Sequence, residues 1–175
     1  MKNRPLPGMY FVVVLYGRKA YYCFISTFWR VFMIDRFVHD ICEALHIKEP
    51  AVSYDTSNFQ TDTMMAQCDT SGSTIYIKKY DAPNPDQLFS IAHELRHIWQ
   101  IQNDEDLYFS SYKPVELCSG VEEYNLQPAE LDANAFSGLV MIRYFHVKPL
   151  FTGVPASVKE KVYDRMEVLN SVLDL

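Results

Sequence analysis

Two histidines and a glutamate crowd into five residues, His93-Glu94-Leu95-Arg96-His97, within the longer segment Ser90 to Gln100. On an α-helix His93 and His97 are four residues apart, one turn along the same face, where two imidazoles reach a single metal ion. The flanks demand a helix. Leu88, Ile91, Ala92, Leu95, Ile98 and Trp99 recur at helical intervals and give it one apolar stripe. A helix packed by that stripe carries its polar triplet towards the interior, where three unpartnered polar groups would each be costly. Metal coordination supplies the partners. A solvated helix face with chance spacing is the alternative, and it leaves the apolar flanks unexplained.

The ends of this helix are also written locally. Asn84 caps, Pro85 suits the first helical position and Gln87 completes a capping box, so the spacing predicts a helix over 85–102. Asn103 to Asp106 ends the pattern, and Asp104, Glu105 and Asp106 read as a solvated acidic turn rather than a second metal site. A loop rich in Tyr, Ser and Pro continues to Gln127.

Pro128 marks the next helix start, and the apolar run through Leu139, Val140, Ile142 and Phe145 carries that helix to about His146. A zinc ion that keeps one position open for water needs three protein ligands. With His93 and His97 as two of them, Glu130 or Asp132 is the third. The two are rotated about 200° from one another on a regular helix, so both cannot face the metal equally, and Glu130 is preferred. Glu130 and Asn134 share a face, so Asn134 is placed to orient a ligand histidine. Glu94, beside the metal, is placed to take the proton of a metal-bound water whose pKa the ion lowers to about 7. Tyr124, Tyr112 and His146 are candidate donors to an oxyanion formed there, and a buried packing tyrosine is the competing reading for the first two.

The 175 residues, 49% hydrophobic and 22% charged, suit one globular domain with a substantial core. A net charge of −6 argues against nucleic acid or an anionic membrane as the main partner. Cys23, Cys42, Cys68 and Cys118 lie far apart with no C-x-x-C pair, as expected of reduced, mostly buried thiols in a cytosolic protein.

Residues 1–34 form an uncertain N-terminal extension. The runs Met9–Tyr16 and Ala20–Ile34, broken at Gly17-Arg18-Lys19, are each too short for a membrane span of about 20 apolar residues. Their composition fits two strands of a hairpin, with a peripheral membrane-associated segment as the alternative. A further expectation is that Met33 is the natural initiator. A single domain is expected over 35–175, beginning with a helix capped by Asp35 that repeats Phe37, Val38, Ile41, Cys42 and Leu45 up to Pro50. His39 and His46 on it read as surface or satisfied residues. Residues 51–54, 63–68 and 74–78 read as short strands of a small antiparallel sheet, whose edge beside the metal helix is a candidate for binding a peptide backbone. A last helix over 155–173, striped by Val158, Val162, Met166, Leu169 and Leu173, packs as a cover.

His93-Glu94-x-x-His97 followed by Glu130-x-Asp132-Ala133-Asn134-Ala135-Phe136 resembles the ImmA/IrrE group of zincin metallopeptidases, which carry a related E-x-E-A-N-x-F-A helix. Asp132 stands where that group has glutamate, and Asn134 where other gluzincins have aspartate. The resemblance covers the two helices only, about a quarter of the chain. It implies an α+β, zincin-like domain with a short antiparallel sheet packed on an active-site helix and a ligand helix. It further implies zinc held by His93, His97 and Glu130, with Glu94 as general base, in a cytoplasmic peptidase cleaving a regulatory protein such as a repressor. A zinc-stabilised regulatory binding module with weak or no peptidase activity is the rival from another class. A zinc hydrolase of a non-peptide substrate is a third.

Overall fold

In the computed structural model, the described residues are 13–14, 27–80, 84–110 and 112–173. They form an α+β structure of six α-helices and two small sheets. The order is β1 (Val13–Val14), α1 (Thr27–Leu45), β2 (Ala51–Ser53), β3 (Ala66–Cys68) and β4 (Thr74–Ile77), then α2 (Pro85–Asn103), α3 (Glu105–Phe109) and a 3₁₀ turn at Val115–Leu117. α4 (Val121–Asn125), α5 (Pro128–Phe145), β5 (Lys148–Pro149) and α6 (Ala156–Val172) complete it. None of these helices is long and apolar enough to cross a membrane.

α2 and α5 pack together at the centre, with α1 and the three-stranded sheet against α2 and α6 against α5. The boundary residues act as expected at both central helices. Asn84 Oδ1 accepts from the Gln87 backbone N–H at 2.8 Å, Pro85 opens α2, and Pro128 opens α5. The capping box is only half made. The Gln87 side chain turns away from Asn84 and donates to the Lys78 carbonyl at 2.6 Å, tying the start of α2 to the sheet. Ile91, Leu95 and Ile98 of the apolar stripe are fully buried with Phe136, Val140 and Ile75 in one core.

Three expectations need correction. Asp35 does not cap α1, because the helix begins at Thr27 and runs through the expected boundary at 34/35. Ile34, Phe37, Val38 and Ile41 make one continuous buried stripe, and packing of that stripe overrides the strand preference of the aromatic and β-branched residues before it. Val13–Val14 pairs antiparallel with Lys148–Pro149, residues 27–34 of the expected second hairpin strand belong to α1, and the remainder of that hairpin lies outside the described residues. The central sheet is mixed rather than antiparallel, in the order β2-β4-β3, with β2 parallel and β3 antiparallel to β4. The long crossover between β2 and β3 permits this, since it brings β4 back between them.

The β3–β4 turn is built on Asp69. Its Oδ1 accepts from the backbone N–H of Ser71 and Ser73 at 3.2 and 2.9 Å and from the Ser71 hydroxyl, while Oδ2 accepts from the Ser73 hydroxyl at 2.9 Å. Gly72 takes φ +65°, and a Cβ there would meet Ile101 of α2 at 3.2 Å, so this turn needs glycine twice over. Partial burial works against the Asp69 charge, but donation from Ser73 and Ser71 prevails and holds its pKa down at about 2. A carboxyl depressed on folding contributes stability above its unfolded pKa and loses it as pH falls through the folded value. Asp69→Ala is accordingly expected to cost about 1 kcal/mol at neutral pH after solvent screening. In urea denaturation that difference narrows below about pH 4, the range of an unfolded aspartate.

Candidate metal centre

His93 and His97 project from one face of α2 towards Glu130 in the first turn of α5. The two Nε2 atoms are 2.9 Å apart, Glu130 Oε2 is 3.3 Å from His93 Nε2, and Glu130 Oε1 is 3.5 Å from His97 Nε2. Two atoms that each lie about 2.0–2.1 Å from a tetrahedral zinc ion are about 3.3–3.4 Å from one another. The imidazole–carboxylate separations are near that value and the imidazole–imidazole one is shorter, so the three side chains converge closely enough to form the one group among the described residues able to hold a metal ion.

The charge of the group favours a cation. Burial alone would raise the Glu130 carboxyl, but His97 and His93 beside it hold it below the usual carboxylate range. Burial likewise works against an imidazolium at His97, yet the Glu130 charge outweighs it and raises the histidine. Without a metal the pair draws in a proton; a dication answers the same field with more charge.

Two of the three side chains, His97 and Glu130, are fixed from behind. His97 Nδ1 hydrogen-bonds Gln100 Oε1 at 2.8 Å, which assigns the proton to Nδ1 and leaves Nε2 free to ligate. The Tyr108 ring meets the His97 ring edge-on at 5.3 Å. The Tyr124 hydroxyl donates to Glu130 Oε1 at 2.7 Å. Burial and the Glu130 charge push the Tyr124 phenol up, so it stays a donor.

Asp132 is not beside the ligands. Its Oδ2 accepts from Arg96 Nε at 2.7 Å and Gln100 Nε2 at 3.0 Å, and its Oδ1 from Arg165 Nη2 and Nε at 2.6 and 2.9 Å. The helical rotation that separates it from Glu130 points it at α6 instead of the metal face. Asn134 does not orient a histidine either. Its Nδ2 donates to Asn125 Oδ1 at 3.1 Å, which anchors α4, and Gln100 takes the orienting role. His146 ends α5 in a left-handed conformation, exposed and at the far end of the helix from Glu130, so it is no oxyanion donor. His39 pairs with Glu49 at the surface and His46 is exposed. Asp104 caps α3 in an exposed acidic turn. Cys42, Cys68 and Cys118 are free thiols.

Glu94 and His93 face a cleft of about 320 Å³, with Glu130, Tyr124 and Asn134 on one side and residues 60–66 on the other. Glu94 Oε2 accepts from the Cys68 backbone N–H at 2.9 Å. β3 is an edge strand, but Ala66 and Cys68 are buried and that N–H is engaged, so the accessible part of the wall is 60–65. Gln100, Arg96, Tyr108 and Arg165 were missed from sequence. Gln100, three residues after His97, shares its helix face and was findable; Arg165 carries no local signal.

No family model matches this chain, and no curated protein or solved structure is significantly similar to it. The roles of Glu130 and Asp132 separate experimentally. Glu130→Gln is expected to lower zinc content, measured by elemental analysis of the purified protein, with little loss of stability. Asp132→Ala leaves Arg96 buried without its carboxylate and is expected to destabilise the fold by about 3–5 kcal/mol in urea denaturation.

Proposed function

We propose that this protein is a zinc-dependent metallopeptidase. The observation that carries the reading is the convergence of His93, His97 and Glu130 into one group able to hold a metal ion, with Glu94 on the same open cleft. A structural zinc site is closed by four protein ligands and has no use for an additional carboxylate, whereas a catalytic one needs three ligands and a base. Zinc, held by the two Nε2 atoms and the Glu130 carboxylate, supplies a polarised water of lowered pKa.

The chain's own residues perform the rest. Gln100 keeps the His97 proton on Nδ1, and Tyr124 holds the Glu130 carboxylate by one oxygen. Glu94, anchored through Oε2 by the Cys68 N–H, keeps its other oxygen for the proton of the attacking water and returns that proton to the departing amine. An extended peptide lies along the wall formed by residues 60–65, and the apolar side chains of Met64, Met65, Phe89, Val115 and Val121 receive a substrate side chain. Tyr124 is committed to Glu130, which supports a ligand-holding role over an oxyanion-binding one.

The substrate class that the resemblance suggests is a regulatory protein, such as a repressor, in the cytoplasm. The test is zinc content together with cleavage of candidate regulators by the full chain. Glu94→Gln is expected to retain zinc and fold while cleavage falls at least about a hundredfold, the scale of a lost general base. Equal cleavage by wild type and Glu94→Gln would refute the mechanism.

A further inference from the structure

Behind the metal face the contact of His97 with Gln100 continues as a polar chain that ends on a different helix. His97 Nδ1–H donates to Gln100 Oε1 at 2.8 Å. The amide's other end donates from Nε2 to the Ala129 carbonyl at 3.1 Å and to Asp132 Oδ2 at 3.0 Å. Gln100 and Asp132 are 0% and 1% exposed. Asp132 is gripped from α2 by Arg96, whose guanidinium is sandwiched towards the Trp99 ring at 3.8 Å, and from α6 by the two nitrogens of Arg165. Only Arg165 reaches the surface, with its side chain 36% exposed.

We propose that Gln100 and Arg165 are positioning residues of the metal centre: Gln100 fixes and polarises His97, and Arg165 makes the seating of α6 part of that fixing by holding the carboxylate to which Gln100 is tied. The proposal rests on the zinc reading above. An amide whose N–H groups are held by a carboxylate and a carbonyl is a better acceptor at its oxygen, and a histidine donating to a stronger acceptor is a better ligand at its other nitrogen. The amide also cannot flip, because the reversed orientation would set its NH₂ against His97 Nδ1–H and its oxygen against Asp132.

Charge alone predicts the opposite outcome for Arg165. A guanidinium acting only through space repels a dication, so its removal would tighten zinc binding. If it acts by holding Asp132, removal loosens the chain and weakens binding. The sign of the change separates the two.

The test measures zinc dissociation constants of the full chain by chelator competition at fixed pH, alongside thermal unfolding of the metal-free protein. Gln100→Met, close in shape but without the amide, is expected to weaken zinc binding by about 10- to 100-fold. Arg165→Met is expected to weaken it by about tenfold, the lower end of that range, and Arg165→Lys to recover part of the loss. An Arg165→Met protein that binds zinc as tightly as wild type or more tightly overturns the proposal, whatever its thermal stability, and so does unchanged affinity in Gln100→Met. If wild type itself binds no stoichiometric zinc, the zinc reading falls and takes this one with it. If wild type binds and the variants match it, only the positioning role falls.

Discussion

One buried carboxylate, Asp132, joins the three helices on which the site depends. It sits on α5, takes Arg96 and Gln100 from α2, and takes Arg165 from α6. Burial opposes its charge, and the two guanidiniums and the Gln100 amide restore it, holding the carboxyl below its ordinary range. Such a group tolerates little displacement, since a charge deprived of its partners in the interior is costly. The axial register of α2 against α5 is thereby set, and with it the spacing of Glu130 from the two histidines. Close packing reinforces the arrangement on the far side, where a Cβ on Gly138 of α5 would meet Met166 of α6 at 3.0 Å.

Two carboxylates two residues apart thus do opposite work. Glu130 faces histidines and an open cleft, so its charge is available to a cation; Asp132 faces arginines and is already neutralised. The division follows from helical geometry, because residues i and i+2 point to nearly opposite sides. Tyr124 and Gln100 then hold Glu130 and His97 in one orientation each.

What was legible in the sequence was local. The two central helices carry their own start signals in Asn84-Pro85 and Pro128, and the histidine pair and its apolar stripe share one period, so α2, α5 and the converging triplet follow from short stretches. The preference for Glu130 over Asp132 rested on the same helical period. The misread parts depend on distant partners. The start of α1 is decided by burial of Ile34 and Phe37, and the parallel pairing of β2 with β4 by a crossover whose path no residue announces. Arg165 reaches Asp132 only because α6 folds back over α5, which no spacing encodes. Asn134 sat on the expected face, but Asn125 claimed it.

The hydrogen bond from Cys68 N–H to Glu94 makes the carboxylate a group with two unlike arms. One oxygen is moored to the strand, so the position of Glu94 is set by the sheet as much as by its own helix. The Asp69 turn and Gly72, which fix where β3 ends, lie immediately beyond that mooring. A change at this turn would therefore be felt at the Glu94 carboxylate through the strand, without any change in the helix that bears it.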